Sequence, residues 1–508
     1  MRKAPSWTNW LATCALTLSC ACLPFSQVLA ESPQEWYRQG QLAVQQAQKR
    51  KINNRIAQNV IIFIGDGMNL PTVAAARILA GQSLGKKGEE HILSFEKLPH
   101  VALSKTYCTN AQVTDSAAAM TAIITGVKTK DGLLSVNQKV TPHKASTVPG
   151  NKLLTLLERA EKRGLATGVV STTRITHATP GACYAHSPDR DWEGDADITS
   201  EDPANATFPD IARQLLEFPY GNGLEVALGG GRSSFQPETT PDPEYPTKFG
   251  KRKDGRDLTQ EWVNRHQGSA YVWNKAQFDA INPAATRHLL GLFERSHMRY
   301  EKDRAQDAAG EPSLSEMTAK AIDILAKNRK GYVLMVEGGR IDHAHHANNA
   351  YHALHDTLEF ARAVQVALDK TNPKNTLIVV TADHGHVLCF TGYPTRGNPI
   401  LGLVTENDKW GKPTDPPTLT RGADGLPFTT LLYGNGPGYV CPRPDLTGVD
   451  TSAPTYRQQS AVPWASDGHS GEDVPIYAGG PGAHLFHGVQ EESYIFHAIM
   501  AAMKLDSR

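Results

Sequence analysis

Ser116, in Val113-Thr114-Asp115-Ser116-Ala117-Ala118-Ala119-Met120-Thr121-Ala122, sits between an aspartate and a run of small residues whose propensities favour a helix. A serine in the first turn of such a helix meets unpaired N–H groups and the positive end of the dipole. Both lower the energy of an alkoxide and attract phosphate. The same ten residues read equally well as a helix capped by Asp115 or Ser116. The remaining chemistry-bearing residues favour a nucleophile: Asp66 in Gly65-Asp66-Gly67-Met68, Thr179 in His177-Ala178-Thr179-Pro180, Glu337, Asp342, His343 and His346 in the segment 337–346, and Asp383-His384. Histidine nitrogen with carboxylate oxygen suits zinc, and oxygen alone suits magnesium. Asp342 and His346, four apart, share one face of a helix. Two zinc ions about 3.5–4 Å apart clamp the attacking and leaving oxygens of an in-line phosphoryl transfer. Four carboxylates (Asp66, Glu337, Asp342 and Asp383) against three divalent ions leave a formal charge of about +2, suited to a phosphate dianion.

Taken singly, each of these residues has a plainer reading. Glu337 could pair with Arg340, Asp342 could cap a helix, and Asp383-His384 could be a turn beside a core histidine. Their common placement argues otherwise. Val60-Ile61-Ile62-Phe63-Ile64 is an apolar run of strand length that ends at Asp66. Gly168 to Ser171 leads to His177 and Thr179, Tyr332 to Val336 ends in Glu337, and Leu377 to Thr381 ends in Asp383. Helical patterns over 151–163, 314–327 and 350–370 separate them. The expectation is an α/β fold with a mostly parallel central sheet, helices on both faces, and ligands gathered at the carboxyl edge.

The 508 residues, 40% hydrophobic and 20% charged, suit a large globular enzyme. Arg2 and Lys3, an apolar run from Leu11 to Phe25, and Val28-Leu29-Ala30 predict a signal peptide over 1–30, hence a secreted or periplasmic protein without a membrane span. Its removal leaves 50 Lys and Arg against 52 Asp and Glu, with no basic footprint for nucleic acid. Cys108, Cys183, Cys389 and Cys441 remain, and their three possible pairings stay open. Residues 31–58 read as an amphipathic N-terminal arm, and 59–508 as the catalytic domain.

The blocks NVIIFIGDGM, VTDSAAAMTAIITGVKT, ITHATPGACYAHSPDRDW, VEGGRIDHAHH, VTADHGHV and SGEDVPIYAGGPGAHLFHGVQEESY, in this order over nearly all of the mature chain, resemble the alkaline phosphatase family in its animal tissue-type branch. The resemblance implies phosphate monoester substrates, a phosphoserine intermediate on Ser116, and two Zn²⁺ with one Mg²⁺. It assigns one zinc to Asp342, His346 and His469, the other to Asp66, Asp383 and His384, and magnesium to Asp66, Thr179 and Glu337. Arg190 becomes the bidentate clamp on the phosphoryl oxygens, oriented by Asp115. His177 and His343 stand where better-known bacterial members carry Asp and Lys, which puts this chain with the animal-type site. A calcium site is implied at Glu244, the Phe293 carbonyl, Glu294 and Glu311, the last replacing an aspartate of the family pattern after a local insertion. Residues 391–463, rich in Gly, Pro and Thr, correspond to the crown over a homodimer interface, with Tyr393 reaching toward the partner. Leu505-Asp506-Ser507-Arg508 is not the hydrophobic tail that a GPI anchor needs, so none is expected. Alternatives are a phosphodiesterase or sulfatase of the wider superfamily, or a protein that scavenges metal or phosphate without turnover.

Overall fold

The computed structural model describes residues 32–505. The expected signal peptide lies outside the described residues. The chain divides into two compact units between Lys51 and Ile52. In the first, Pro33–Gln48 forms a helix whose N-cap, Ser32, accepts the Glu35 N–H; none of its residues is buried. The arm expected to run through Gln58 ends sooner. Buried Ala57 donates its N–H to Ala502, and Gln58 donates its own to Asn375, so both are fixed within the second unit.

Fifteen strands are present among the described residues: β1 (Asn59–Ile64), β2 (His100–Lys105), β3 (Ala166–Arg174), β4 (Val226–Gly230), β5 (Ser269–Val272), β6 (His288–Leu292), β7 (Tyr332–Glu337), β8 (Thr376–Thr381), β9 (Gly385–His386), β10 (Leu388–Phe390), β11 (Leu431–Gly436), β12 (Ser460–Pro463), β13 (His469–Ser470), β14 (Val474–Gly479) and β15 (Val489–Glu491). Ten form one sheet in the order β15-β2-β14-β8-β1-β7-β3-β4-β6-β5. All neighbours run parallel except β14, which lies antiparallel to β2 and β8.

The apolar runs are continuous because both faces are covered. Along β1, Val60, Ile62 and Ile64 enter one core with Met120, Ile123 and Ile124 of the helix Ser116–Thr125. Ile61 and Phe63 enter the opposite core with Met317, Ile322, Leu354 and Phe360, from the helices Leu314–Leu325 and Ala350–Lys370. The same alternation runs along β7 and β8, as a period of two requires. Each such side chain fully removed from water contributes about 1.5–3 kcal/mol.

Register then fixes the site. Ile64 pairs with Glu337 and Thr381, so β1, β7 and β8 finish at one level, and β3, with Ser171 beside Glu337, runs three residues further to Arg174. The helical pattern expected from 151 begins only at Leu156, where Thr155 and Glu158 form a capping box. Residues 391–463 carry most of a small sheet, β10-β11-β12, with irregular chain between its strands. The four cysteines left open for pairing are all free thiols, Cys108 and Cys183 buried, Cys389 and Cys441 exposed. No helix among the described residues is long and apolar enough to cross a membrane.

Candidate active site

Asp115 is the N-cap of the helix Ser116–Thr125, and it does more than cap. Its Oδ1 accepts the Ala118 N–H at 3.0 Å, while Oδ2 accepts the Gly132 N–H at 3.1 Å and Arg190 Nη1 at 3.0 Å. Burial works to raise this carboxyl, but Arg190 and the two amides outweigh it and hold the group below the usual carboxylate range. Arg190 is fixed from both ends. Its backbone N–H donates to Gly132 at 2.9 Å and its Nη2 reaches His177 Nε2 at 3.3 Å. Ser116 is the first residue of the helix, 3% exposed, and its Oγ lies 3.1 Å from His384 Nε2. The cap and nucleophile readings of this segment therefore coexist on neighbouring residues.

Three clusters of ligand-type side chains surround that hydroxyl. Asp66, Asp383 and His384 come together fully buried, with His384 Nε2 3.4 Å from Asp66 and 3.3 Å from Asp383. Asp383 Oδ1 is oriented by the N–H groups of Gly67 and His384. Gly67 adopts a φ of +69°, and a Cβ there would meet the His386 ring at 2.5 Å, so glycine is required in this turn. A second cluster joins Asp342, His346, His469 and His386. His469 arrives from far along the chain because β13 pairs antiparallel with β9, bringing its ring to 3.6 Å from that of His384 in a stacked pair. His346 and His469 each direct Nδ1 to a backbone carbonyl, of Asp467 and Thr114 respectively, which turns both Nε2 atoms inward. A third cluster joins Asp66, Glu337 and His177. Glu337 Oε2 accepts from Ser171 and Thr173, and Thr179 lies at the start of the short helix Ala178–Gly181.

The donor atoms themselves show what these clusters fit. Both carboxylate oxygens of Asp66, Oδ2 of Asp383, Oε1 of Glu337, Oγ1 of Thr179 and Nδ1 of His384 are buried without a hydrogen-bond partner. Burial and the neighbouring carboxylates of Asp383, Asp342 and Glu337 push Asp66 well above its ordinary range, and burial pushes Glu337 up to about 7. Orphaned acids packed this closely are the environment that divalent cations satisfy. His343, on the helix Arg340–His346, is held neutral, lowered to about 3 by burial and the Arg340 charge.

The acidic set away from the serine differs from expectation. Glu244 and Glu294 converge with Asp307 rather than Glu311, and both Asp307 oxygens are buried and unpartnered. Phe293 lies between the end of β6 and Glu294. Glu311 has one oxygen engaged and one not: its Oε1 accepts the Arg299 N–H at 2.8 Å, its Oε2 is buried without a hydrogen-bond partner, and burial pushes it up to about 9. Sequence reasoning also passed over His386 and Asp467. His386 donates to Asp342 at 2.6 Å and to Asp467 at 2.9 Å, and those two partners raise it to about 9 despite its burial. The signal was proximity in the chain: His386 follows His384 by two, and Asp467 precedes His469 by two.

The sheet, the serine at a helix start and the carboxylate-histidine clusters define a phosphatase built on a mostly parallel α/β sheet. The family model "Alkaline phosphatase" matches residues 57–505. The chain is 45% identical over 483 residues to the tissue-nonspecific alkaline phosphatase of Gallus gallus, covering 93% of this chain and 89% of that one. It is 46% identical over 460 residues to an alkaline phosphatase of Gadus morhua, covering 89% and 92%. The solved alkaline phosphatase of Thermus thermophilus shares the fold with a TM-score of 0.63 and 28% identity, covering 90% and 94%. That of the Antarctic bacterium TAB5 does so with a TM-score of 0.59 and 23% identity, covering 89% and 99%. This chain belongs to the alkaline phosphatase family, and it is a phosphatase.

Proposed function

We propose that the protein is a metal-dependent phosphomonoesterase that works through a phosphoserine on Ser116. The observation that carries this reading is the convergence of unpartnered, buried donors on Asp66 and Asp383 with His384, whose Nε2 lies 3.1 Å from the Ser116 hydroxyl. Asp66, Asp383 and His384 would hold one zinc, and Asp342, His346 and His469 the other. Asp66, Thr179 and Glu337 would hold magnesium, and Glu244, Glu294 and Asp307 calcium. When bound, the zinc and magnesium ions supply Lewis-acid stabilisation of charge on the attacking and leaving oxygens.

The chain's own groups do the positioning. Arg190, held flat by Asp115 and His177, offers its guanidinium fork to two oxygens of the phosphoryl group. Ser116 Oγ attacks phosphorus, the bond to the alcohol oxygen breaks, and the alcohol leaves with a proton. Water then cleaves the Ser116–phosphate bond, returning the hydroxyl and releasing inorganic phosphate. An open groove of about 840 Å³, lined by Tyr107, Gln112, Val113 and Gly471, adjoins this site and leaves room for varied alcohols. Export after removal of residues 1–30 and assembly as a homodimer through residues 391–463 complete the proposal.

The test is Ser116→Ala assayed with p-nitrophenyl phosphate, together with phosphoserine detection after an acid quench of the parent. Loss of turnover by several orders of magnitude and a quenched phosphopeptide containing Ser116 are expected. Full turnover in the alanine variant would exclude the covalent route.

A further inference from the structure

His177, His297 and His343 come from three different elements: the N-cap of Ala178–Gly181, the loop after β6, and the helix Arg340–His346. All three are half-buried, and their ring nitrogens lie within 4.8 Å of one another. The rings meet edge to face rather than stacked, with centroids 5.3, 5.5 and 4.2 Å apart and interplanar angles of 80°, 74° and 68°. Nδ1 of His177 is buried without a hydrogen-bond partner. We propose that this triad is an additional metal site, distinct from the carboxylate clusters, that takes a borderline divalent ion such as zinc.

Three imidazoles without a carboxylate form a donor set that selects zinc and its transition-metal neighbours over magnesium or calcium. What competes for their lone pairs is arginine. The Arg174 backbone N–H and Nη1 both contact His297, Arg340 Nη1 donates to His343 Nδ1 at 2.9 Å, and Arg190 Nη2 contacts His177 Nε2 at 3.3 Å. Two of these guanidinium groups have other places to rest. Arg174 is also held by Glu193, and Arg340 lies 3.9 Å over the Tyr300 ring. An entering ion displaces them without stranding them. Their charge opposes a dication, so the triad fills after the carboxylate clusters and holds its ion less tightly. His177 also faces Asp66 and Glu337, so an ion on the triad takes a ring away from that neighbouring cluster.

The test uses enzyme already loaded with zinc and magnesium, dialysed to equilibrium against rising zinc. The parent is expected to bind one equivalent more per chain than His297→Ala or His297→Gln. The glutamine variant keeps an acceptor for the Arg174 N–H and so guards against a folding defect. Equal stoichiometry in parent and variants overturns the proposal. Anomalous scattering at the zinc edge from zinc-soaked parent crystals decides it without any variant. A peak among the three rings is expected. A triad without a peak, including the case in which extra zinc lies only between Asp66 and Glu337, overturns the proposal. Neither readout depends on turnover, so a failure here is separable from a failure of the phosphoserine reading.

Discussion

Arg190→Lys isolates the value of the planar fork from the value of its charge. In the structure one arm of the guanidinium is spent on Asp115 at 3.0 Å and the other points to His177 at 3.3 Å, so its plane is set before substrate arrives. A lysine keeps the ion pair with Asp115 but offers the phosphoryl group a point charge in place of two parallel donors. A hydrogen bond to a charged group is worth about 1.5–3 kcal/mol, so loss of one arm lowers kcat/KM by about 10- to 150-fold. Arg190→Ala loses both arms and leaves half-buried Asp115 without its cationic partner, which takes the loss to about 10²–10⁴-fold. The assay is kcat/KM for p-nitrophenyl phosphate with inhibition by inorganic phosphate, in preparations of equal metal content. The lysine variant should weaken phosphate inhibition in parallel with kcat/KM. Activity within twofold of the parent, with phosphate inhibition unchanged, would refute the assignment of Arg190 as the clamp.

Two further predictions concern stability. Asp307→Asn should abolish the rise in melting temperature produced by added calcium, whereas Glu311→Gln should retain it, because Asp307 converges with Glu244 and Glu294 with both oxygens unpartnered, while Glu311 stands outside that group with one oxygen on the Arg299 amide. Equal behaviour of the two variants in calcium-dependent melting would contradict the Asp307 assignment. Asp356 is pushed up to about 8, first by burial and then by Glu301 and Glu359, against the pull of Arg340. Its folded-state pKa is raised, so the stability it contributes is whole below the unfolded carboxyl pKa and drains away as pH rises toward 8. Asp356→Asn should flatten the decline in unfolding free energy between about pH 4 and pH 8, removing up to about 1.4 kcal/mol of that decline for each pH unit in the window. Urea unfolding of both proteins at several pH values checks this, and parallel curves would contradict it.

The strand tips were legible because burial on both faces forces unbroken apolar runs, and Val60–Ile64, Tyr332–Val336 and Leu377–Thr381 each end where a ligand-type residue begins. Their register was not written in any one of them; it follows from pairing across residues hundreds of positions apart. The apolar spacing extends in front of the helix Leu156–Lys162 to about residue 151, and only the capping pair Thr155 and Glu158 marks its true start. Asp307 and Glu311 could not be ranked from sequence. Both are acids in a loop without periodicity, four residues apart. His297 carried no pattern at all: its place beside His177 and His343 is created by the loop after β6.

The most direct test of the central claim is metal content per chain measured alongside phosphomonoesterase activity, before and after chelation. Removal of zinc and magnesium should abolish turnover, and restoring both should return it together with about two zinc and one magnesium per chain. Undiminished activity in enzyme shown to be free of divalent metal would contradict the account.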